Sequence, residues 1–186
     1  MGLLPPGRAA LADAVTGLLH FAGITVDTSS GPSPHPGSPS PLPSQRSAAL
    51  AEAQGKVRFP IRIPALLGRP EQVLIADPDA SGNYRVATLI YRGGALRLDA
   101  FDGGLDPLFT KQTHGENVTW TQVGGEFALW IAGPHDVAYV DRTGQLRVET
   151  ARLAASTLIW QGTGVTYRLE GDLDQPQALE LATSLS

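Results

Sequence analysis

Hydrophobic positions in the second two thirds of the chain recur in short runs, and turn residues interrupt these runs at regular intervals. Runs of this length, rich in Val, Ile, Leu, Tyr and Trp and bounded by Gly, Asp or Asn, predict β-strands. Because no helical pattern separates them, the spacing favours an antiparallel meander over alternating β and α units. The predicted strands cover residues 72–76, 84–91, 95–101, 118–123, 126–132, 136–140, 145–149, 157–161 and 165–170.

The alternation of side chains within these strands predicts how deeply each strand is buried. Both faces of residues 126–132 are apolar, which predicts a central strand. In two other strands charged residues alternate with leucine or tyrosine: Arg97 and Asp99 in one, Arg168 and Glu170 in the other. Such half-polar strands predict that one face of the sheet is in contact with water over much of its area.

Composition divides the chain at a segment rich in Pro, Ser and Gly. Residues 29–44 contain too little apolar surface to offset the entropy of ordering them, so they predict a linker. Residues 1–28 predict a helix followed by a short extended segment, and residues 45–186 predict an antiparallel sheet domain with a closing helix. The N-terminal helix has an apolar stripe that we expect to dock on the domain, formed by Leu11, Val15, Leu18 and Leu19;.

The closing helix has a recognisable beginning at Asp174, which is a favourable N-cap residue, and Gln177 three positions later completes a variant of the capping box. Its apolar stripe predicts packing on the sheet and consists of Ala178, Leu181, Ala182 and Leu185. The predicted fold class is therefore α+β, with a curved, mainly antiparallel β-sheet on which the N-terminal and C-terminal helices pack.

Charge and composition exclude several classes of function. The 186 residues carry a formal net charge of −4 and no cysteine. Nucleic acid is therefore not an expected partner, and neither disulfides nor thiolate metal sites can form. No apolar run approaches the roughly 18 residues that span a bilayer, and the N-terminus lacks the features of a signal peptide.

A possible cation site begins at Asp77, Asp79, Ser81 and Gly82, whose order resembles the start of a calcium loop. The position of the bidentate glutamate in such a loop is occupied by Thr88, and the flanking segments predict strands. A polar β-turn in which Asp and Ser bond to their own backbone explains the same residues. Whether Asp77, Asp79 and Ser81 bind a cation stays open at this stage.

Other residues that could carry chemistry are scattered along the chain. The histidines form no metal-ligand spacing, and no nucleophile elbow is present; the histidines are His20, His35, His114 and His135. The indoles lie in predicted strands, where core filling is expected; they are Trp120, Trp130 and Trp160. Carboxylates are assigned to solvated strand ends and turns: Glu126, Asp136, Asp141, Glu149, Glu170 and Asp172. The sequence thus predicts no catalytic, cofactor-binding or metal-binding residue and no cofactor.

Three C-terminal segments resemble a bacterial domain family of unknown function. They are an LWI strand at 129–131, a strand at 156–160 with Ser156 in place of the usual Asn, and a TYRLEG strand at 166–171 followed by a helix that ends with Ala182, Ser184 and Leu185. Segments around residues 10–26 and 51–78 are also similar to the part that such proteins carry after a membrane-spanning helix.

The resemblance implies an extracytoplasmic part of a membrane-anchored, anti-sigma-factor-like protein, with the anchor outside this chain. The expected function is accordingly a non-catalytic sensor or interaction domain with an unknown protein partner. The alternative is a carrier or binding module for an apolar ligand such as a lipid. A large apolar cavity lined by Trp130 or Trp160 favours the carrier, whereas a filled core with an exposed apolar patch favours a protein partner.

Overall fold

A computed structural model describes residues 42, 44–106, 118–150, 152, 153 and 155–185, all within the compact unit formed by Ser38–Ser186. The predicted N-terminal helix at residues 10–19 and most of the linker lie outside the described residues. Within the described part of the chain, no helix is both long and apolar enough to cross a membrane.

The described residues form strands for most of their length. The strands are β1 (Arg46–Ala48), β2 (Gln72–Pro78), β3 (Tyr84–Tyr91), β4 (Leu96–Phe101), β5 (Gly103–Leu105), β6 (Val118–Val123), β7 (Glu126–Ile131), β8 (Val137–Asp141), β9 (Leu146–Glu149), β10 (Ser156–Gly162) and β11 (Val165–Gly171). Two α-helices, α1 (Leu50–Gln54) and α2 (Gln175–Thr183), and a short 3₁₀ turn at Arg92–Gly94 complete the structure.

The strands form two antiparallel sheets. The large sheet has eight strands in the order β1-β2-β3-β4-β11-β10-β7-β6, and the small sheet has three in the order β5-β8-β9. The mainly antiparallel architecture predicted from the sequence is therefore confirmed. It is not a simple meander, since β11 pairs with β4 and β10 pairs with β7 across long connections.

One face of the large sheet packs against α2 and the segment that follows α1. Asp174 accepts a hydrogen bond from the backbone N–H of Gln177, whose side chain accepts one from the N–H of Asp174, so the predicted capping box is confirmed. The stripe of α2 is buried at Ala178, Leu181 and Ala182 in the main hydrophobic core. That core contains the inward side chains of β2, β3, β4, β7, β10 and β11.

The opposite face of the large sheet is covered by the small sheet, so the prediction of a wet face is wrong. Every residue of β4 and β11 is buried. Arg168 and Glu170 are 0 % exposed, and Asp99 is equally inaccessible. Their burial is possible because each charge meets an opposite charge between the two sheets.

Most predicted strands lie within two residues of the observed ones, but β1 and β5 are not among the predicted strands. Strand β7 lies second from the edge of the large sheet and is not central. Both of its faces are covered only over its last four residues, from Ala128 to Ile131, while Phe127 is exposed. Apolar residues on both faces of β7 therefore do not require a central position, because the first end of the strand places an apolar side chain on the protein surface.

Candidate functional site: an ion-pair layer beneath an exposed apolar sheet face

Arg168 is the central residue of the charged layer between the sheets. Its Nε donates to Glu170 Oε1 at 2.9 Å, and its Nη2 donates to Asp99 Oδ2 at 2.9 Å. The remaining terminal nitrogen, Nη1, donates to the carbonyl oxygens of Glu149 at 2.9 Å and Thr150 at 3.0 Å. The guanidinium therefore joins the large sheet to the chain that leaves β9.

Glu170 fixes the same connection from the other side. Its carboxylate accepts the backbone N–H of Arg152 at 2.9 Å and that of Leu153 at 2.8 Å. Burial raises the pKa of Glu170, and the nearby Arg168 partly offsets that effect. The segment after β9 is consequently held by Arg168 through its carbonyl groups and by Glu170 through its amides.

Asp99 is kept ionised by two arginines and a hydroxyl group. Arg97 Nη2 lies 2.9 Å from Asp99 Oδ1, and the hydroxyl of Thr88 donates to the same oxygen at 2.6 Å. Burial alone would raise the pKa of Asp99, but Arg97 and Arg168 lower it to about 2. These partners come from three adjacent strands, β3, β4 and β11.

A second cluster lies where β2 and β3 face β8 and β9. Asp141 Oδ2 contacts Arg147 Nε at 3.0 Å and Arg85 Nε at 3.4 Å, while Asp77 contacts Arg85 Nη1 at 3.2 Å. Asp77 has a φ of 55°, an unfavourable backbone conformation for a residue with a side chain;. Within the described residues the buried hydroxyl of Tyr139 has no hydrogen-bond partner.

The charged layer is balanced in sign. The ion pairs between and beside the sheets involve six carboxylates and six guanidinium groups, namely Asp77, Asp99, Asp102, Asp141, Glu149 and Glu170 with Arg85, Arg97, Arg142, Arg147, Arg152 and Arg168. Two clefts of about 320 Å³ and 200 Å³ are formed by described residues, and none of these twelve residues lines either of them. The titratable groups of the layer are therefore paired with one another and do not face either cleft.

Strand β9 of the small sheet has charged residues on its inner side and apolar residues on its outer side, whereas the inner side of β8 is apolar at Val137 and Tyr139. Arg147 and Glu149 of β9 point inward, whereas the alternate residues Leu146 and Val148 are 60 % and 61 % exposed. In the register of the sheet, Leu146 lies opposite Val140 and Val148 lies opposite Ala138. We call these four apolar residues on the solvent side, Ala138, Val140, Leu146 and Val148, the outer face.

A second group of exposed apolar side chains lies on the hairpin formed by β6 and β7. Trp120 is 46 % exposed and Phe127 is 43 % exposed, with ring centroids 4.5 Å apart. Core filling was expected for all three indoles, and for Trp120 that expectation is wrong because β6 is the edge strand of the large sheet. Trp130 and Trp160 are buried as expected, with 8 % and 3 % exposure.

Comparison with protein-family models, curated proteins and solved structures finds no match for this chain. The resemblance to the bacterial family therefore stays a prediction.

The Asp-rich turn after β2 is organised by its own backbone. Asp79 Oδ1 accepts the N–H groups of Ser81 at 2.8 Å and Asn83 at 2.9 Å, while Oδ2 lies 2.9 Å from Arg58 Nη2. The polar-turn interpretation is thus confirmed. Asp77 does not share these partners, because its carboxylate pairs with Arg85 and Arg147.

The remaining sequence candidates do not converge. Among the described residues there is no group of three or more His, Asp or Glu residues placed to hold a metal ion. His135 lies in the loop between β7 and β8, as expected, and the other three histidines are outside the described residues. Glu126, Asp136 and Asp172 are exposed, but the assignment of Asp141, Glu149 and Glu170 to solvated positions is wrong, because all three are buried in ion pairs.

The charged layer was missed although the sequence contains a signal for it. In the register of the two central strands, Arg168 lies opposite Asp99 and Glu170 lies opposite Arg97. Each strand therefore supplies one positive and one negative charge, and each charge lies opposite a charge of the other sign on the neighbouring strand. Strand β9 carries a matching signal, since Leu146 and Val148 alternate with Arg147 and Glu149.

Proposed function

We propose that this chain is a non-catalytic interaction domain that binds another protein through the outer face of its small sheet. In the setting implied by the family resemblance, it is the extracytoplasmic sensor or interaction part of a membrane-anchored, anti-sigma-factor-like protein. The observation that carries the proposal is the reversed polarity of β9, whose leucine and valine face solvent while its arginine and glutamate face inward.

The exposure of Leu146 and Val148 is a fixed property of the fold. A slip of one residue would turn the apolar side chains of β9 inward, but it would also remove Arg147 from Asp141 Oδ2, which it contacts at 3.0 Å;. It would likewise remove Glu149 from Arg152, whose Nη2 lies 3.1 Å away. The ion pairs therefore hold β9 in the register that presents its apolar residues.

A protein is the partner that suits this surface best. Apolar patches that stay exposed on a folded protein mark contacts with other proteins or with membranes. The net charge of −4 disfavours attraction to an anionic bilayer;. An apolar strand or helix face of a partner protein would cover the outer face without this charge repulsion.

The test places a photoreactive amino acid at Val148 of the full chain in cells that produce it, with Lys56, an exposed residue near α1, as the matched position. We expect Val148 to cross-link one protein partner that Lys56 does not cross-link. The purified partner should then bind the chain, and Leu146→Asp should weaken that binding at least tenfold. Cross-links to lipid alone, or binding that Leu146→Asp leaves unchanged, would contradict the proposal.

The carrier alternative rests on a cleft lined in part by Trp160 and Tyr167, whose rings stack with centroids 5.2 Å apart. Its volume is about 200 Å³. Pockets for small molecules usually enclose about 300–1,000 Å³, so this cleft supports the carrier less well than the outer face supports a protein partner. Native mass spectrometry of the purified chain separates the two, since a carrier would retain a stoichiometric apolar molecule.

A further inference from the structure

The edge of the large sheet formed by β6 differs from the other strand edges in the described residues. Edge strands normally avoid pairing with other chains by being short or by carrying charge. Strands β1 and β5 have three residues each, and β9 contains Arg147 and Glu149. Strand β6 has six residues, with the sequence VTWTQV, and none of them is charged. Its length and its sequence therefore lack the features that keep an edge unpaired.

The hairpin geometry identifies which backbone N–H and C=O groups of β6 point away from β7. Gly124 and Gly125 both have positive φ, as a two-residue primed turn requires, and Val123 lies opposite Glu126;. In an antiparallel ladder the residues of one strand alternate between bonding their partner and pointing away from it. Counting back from the turn, Trp120 and Gln122 direct their N–H and C=O groups away from β7, as does Val118.

We infer that the β6 edge pairs with the β6 edge of a second copy of this chain, which joins two large sheets into one continuous sheet across a two-fold axis. The axis passes next to Trp120, so that Trp120 lies opposite its own counterpart. In this register Thr119 opposes Thr121 of the second copy, and Val118 opposes Gln122. Threonine pairs and aromatic pairs are both favourable across antiparallel strands.

Charge and side-chain chemistry support a second copy as the occupant. Two copies each carry a net charge of −4, yet the strands that meet are uncharged, so no like charges face each other across the new ladder. On one face of the joined sheet the exposed rings of Trp120 and Phe127 from both copies form a continuous aromatic row. The pairing thus extends over Trp120 and Phe127, which are the exposed aromatic side chains among the described residues with large apolar exposure.

The size of the contact sets the expected strength. Stable interfaces bury at least about 1,200 Å², and contacts below that size are usually reversible. One six-residue edge with two aromatic side chains belongs to the smaller class, so dimerisation should depend on protein concentration. The contact uses the large sheet, and the outer face of the small sheet remains free for the proposed partner.

The experiment measures the mass of the full chain by sedimentation and light scattering over a range of about 1 µM to 1 mM, where weak dimers populate. We expect a reversible monomer–dimer equilibrium. Trp120→Thr should raise the dimer dissociation constant at least tenfold, because it removes the aromatic row but keeps a good strand residue. Gln122→Pro should do the same, because proline removes an outward N–H at an edge position.

Val148→Thr is the matched control, since it changes an exposed apolar residue on the other sheet, and it should leave the dissociation constant unchanged. Hydrogen exchange supplies the direct observation: the amides of Val118, Trp120 and Gln122 should exchange more slowly as the dimer forms. A chain that stays monomeric at the highest concentration would overturn the inference. So would a dimer that Val148→Thr weakens, or one whose β6 amides stay unprotected.

Discussion

Replacing Arg168 with methionine tests whether the charged layer is shielded from water and stabilises the fold. Methionine keeps the apolar part of the side chain but removes the cation that Asp99 and Glu170 share. It also leaves two carbonyl oxygens, those of Glu149 and Thr150, without their donor. Breaking a buried pair on one side costs about 3–5 kcal/mol, because the remaining charge stays buried without its partner.

The assay is urea unfolding followed by tryptophan fluorescence, since Trp130 and Trp160 are buried in the fold. With a slope of about 2 kcal/mol per molar urea, a loss of 3–5 kcal/mol lowers the unfolding midpoint by roughly 1.5–2.5 M. Arg46→Met is the matched control. It breaks an exposed pair with Glu52, and such pairs contribute little to stability because water screens them;.

The pH dependence of Arg168→Met gives a second, independent readout. Without the arginine, the burial that raises the pKa of Glu170 is no longer offset. When folding raises the pKa of a carboxyl group, the protein loses stability as the pH rises through the folded pKa, because the buried group must then become charged. The loss of stability caused by Arg168→Met should therefore be smaller near pH 5 than near pH 8. A loss below about 1 kcal/mol that does not change with pH would refute a buried, desolvated layer.

Three further outcomes follow from the same structure. For the unaltered chain, the raised pKa of Glu170 predicts an unfolding midpoint that increases from pH 8 toward about pH 5, and the lowered pKa of Asp99 predicts a loss of stability as pH falls from about 4 toward 2;. Tyr139→Phe removes a buried hydroxyl that has no partner among the described residues, so it should leave the unfolding free energy unchanged or raise it;. Gly103→Ala places a methyl group against the backbone of β8 and should cost about 1–3 kcal/mol, whereas Gly104→Ala meets only a flexible side chain and should cost less;. Urea midpoints measure all three.

Local sequence patterns predicted the strands and the closing helix because their signals lie within a few residues of one another. The capping box at Asp174 is an example, and it is found as expected. The order of strands in the large sheet could not be predicted in this way. Pairing of β4 with β11 joins residues about seventy positions apart, for instance Asp99 with Arg168, and no local pattern specifies it.

The error about the wet face has a physical cause. Alternation of charged and apolar residues shows that the two faces of a strand differ, but it does not show whether the polar face meets water or opposite charges. Arg97 and Glu170 are buried because the small sheet of three strands and the segment that follows β9 lie on this face of the large sheet, with Glu170 bonded to the amides of Arg152 and Leu153. One of those strands, β5, has only three residues and contains two glycines, so it has a weak sequence signal.

The reversed polarity of β9 follows from the same charged layer. On the inner side of β9, Arg147 pairs with Asp141 and Asp77, and Glu149 pairs with Arg152, so this strand directs its charged residues inward. The alternation of a strand then sends the other residues of β9 outward. These residues are leucine and valine, where polar side chains would satisfy the ion-pair layer equally well. The need to bury charge therefore explains the inner side of β9 but not its outer side, and the proposed partner, by covering Leu146 and Val148, would account for the remainder.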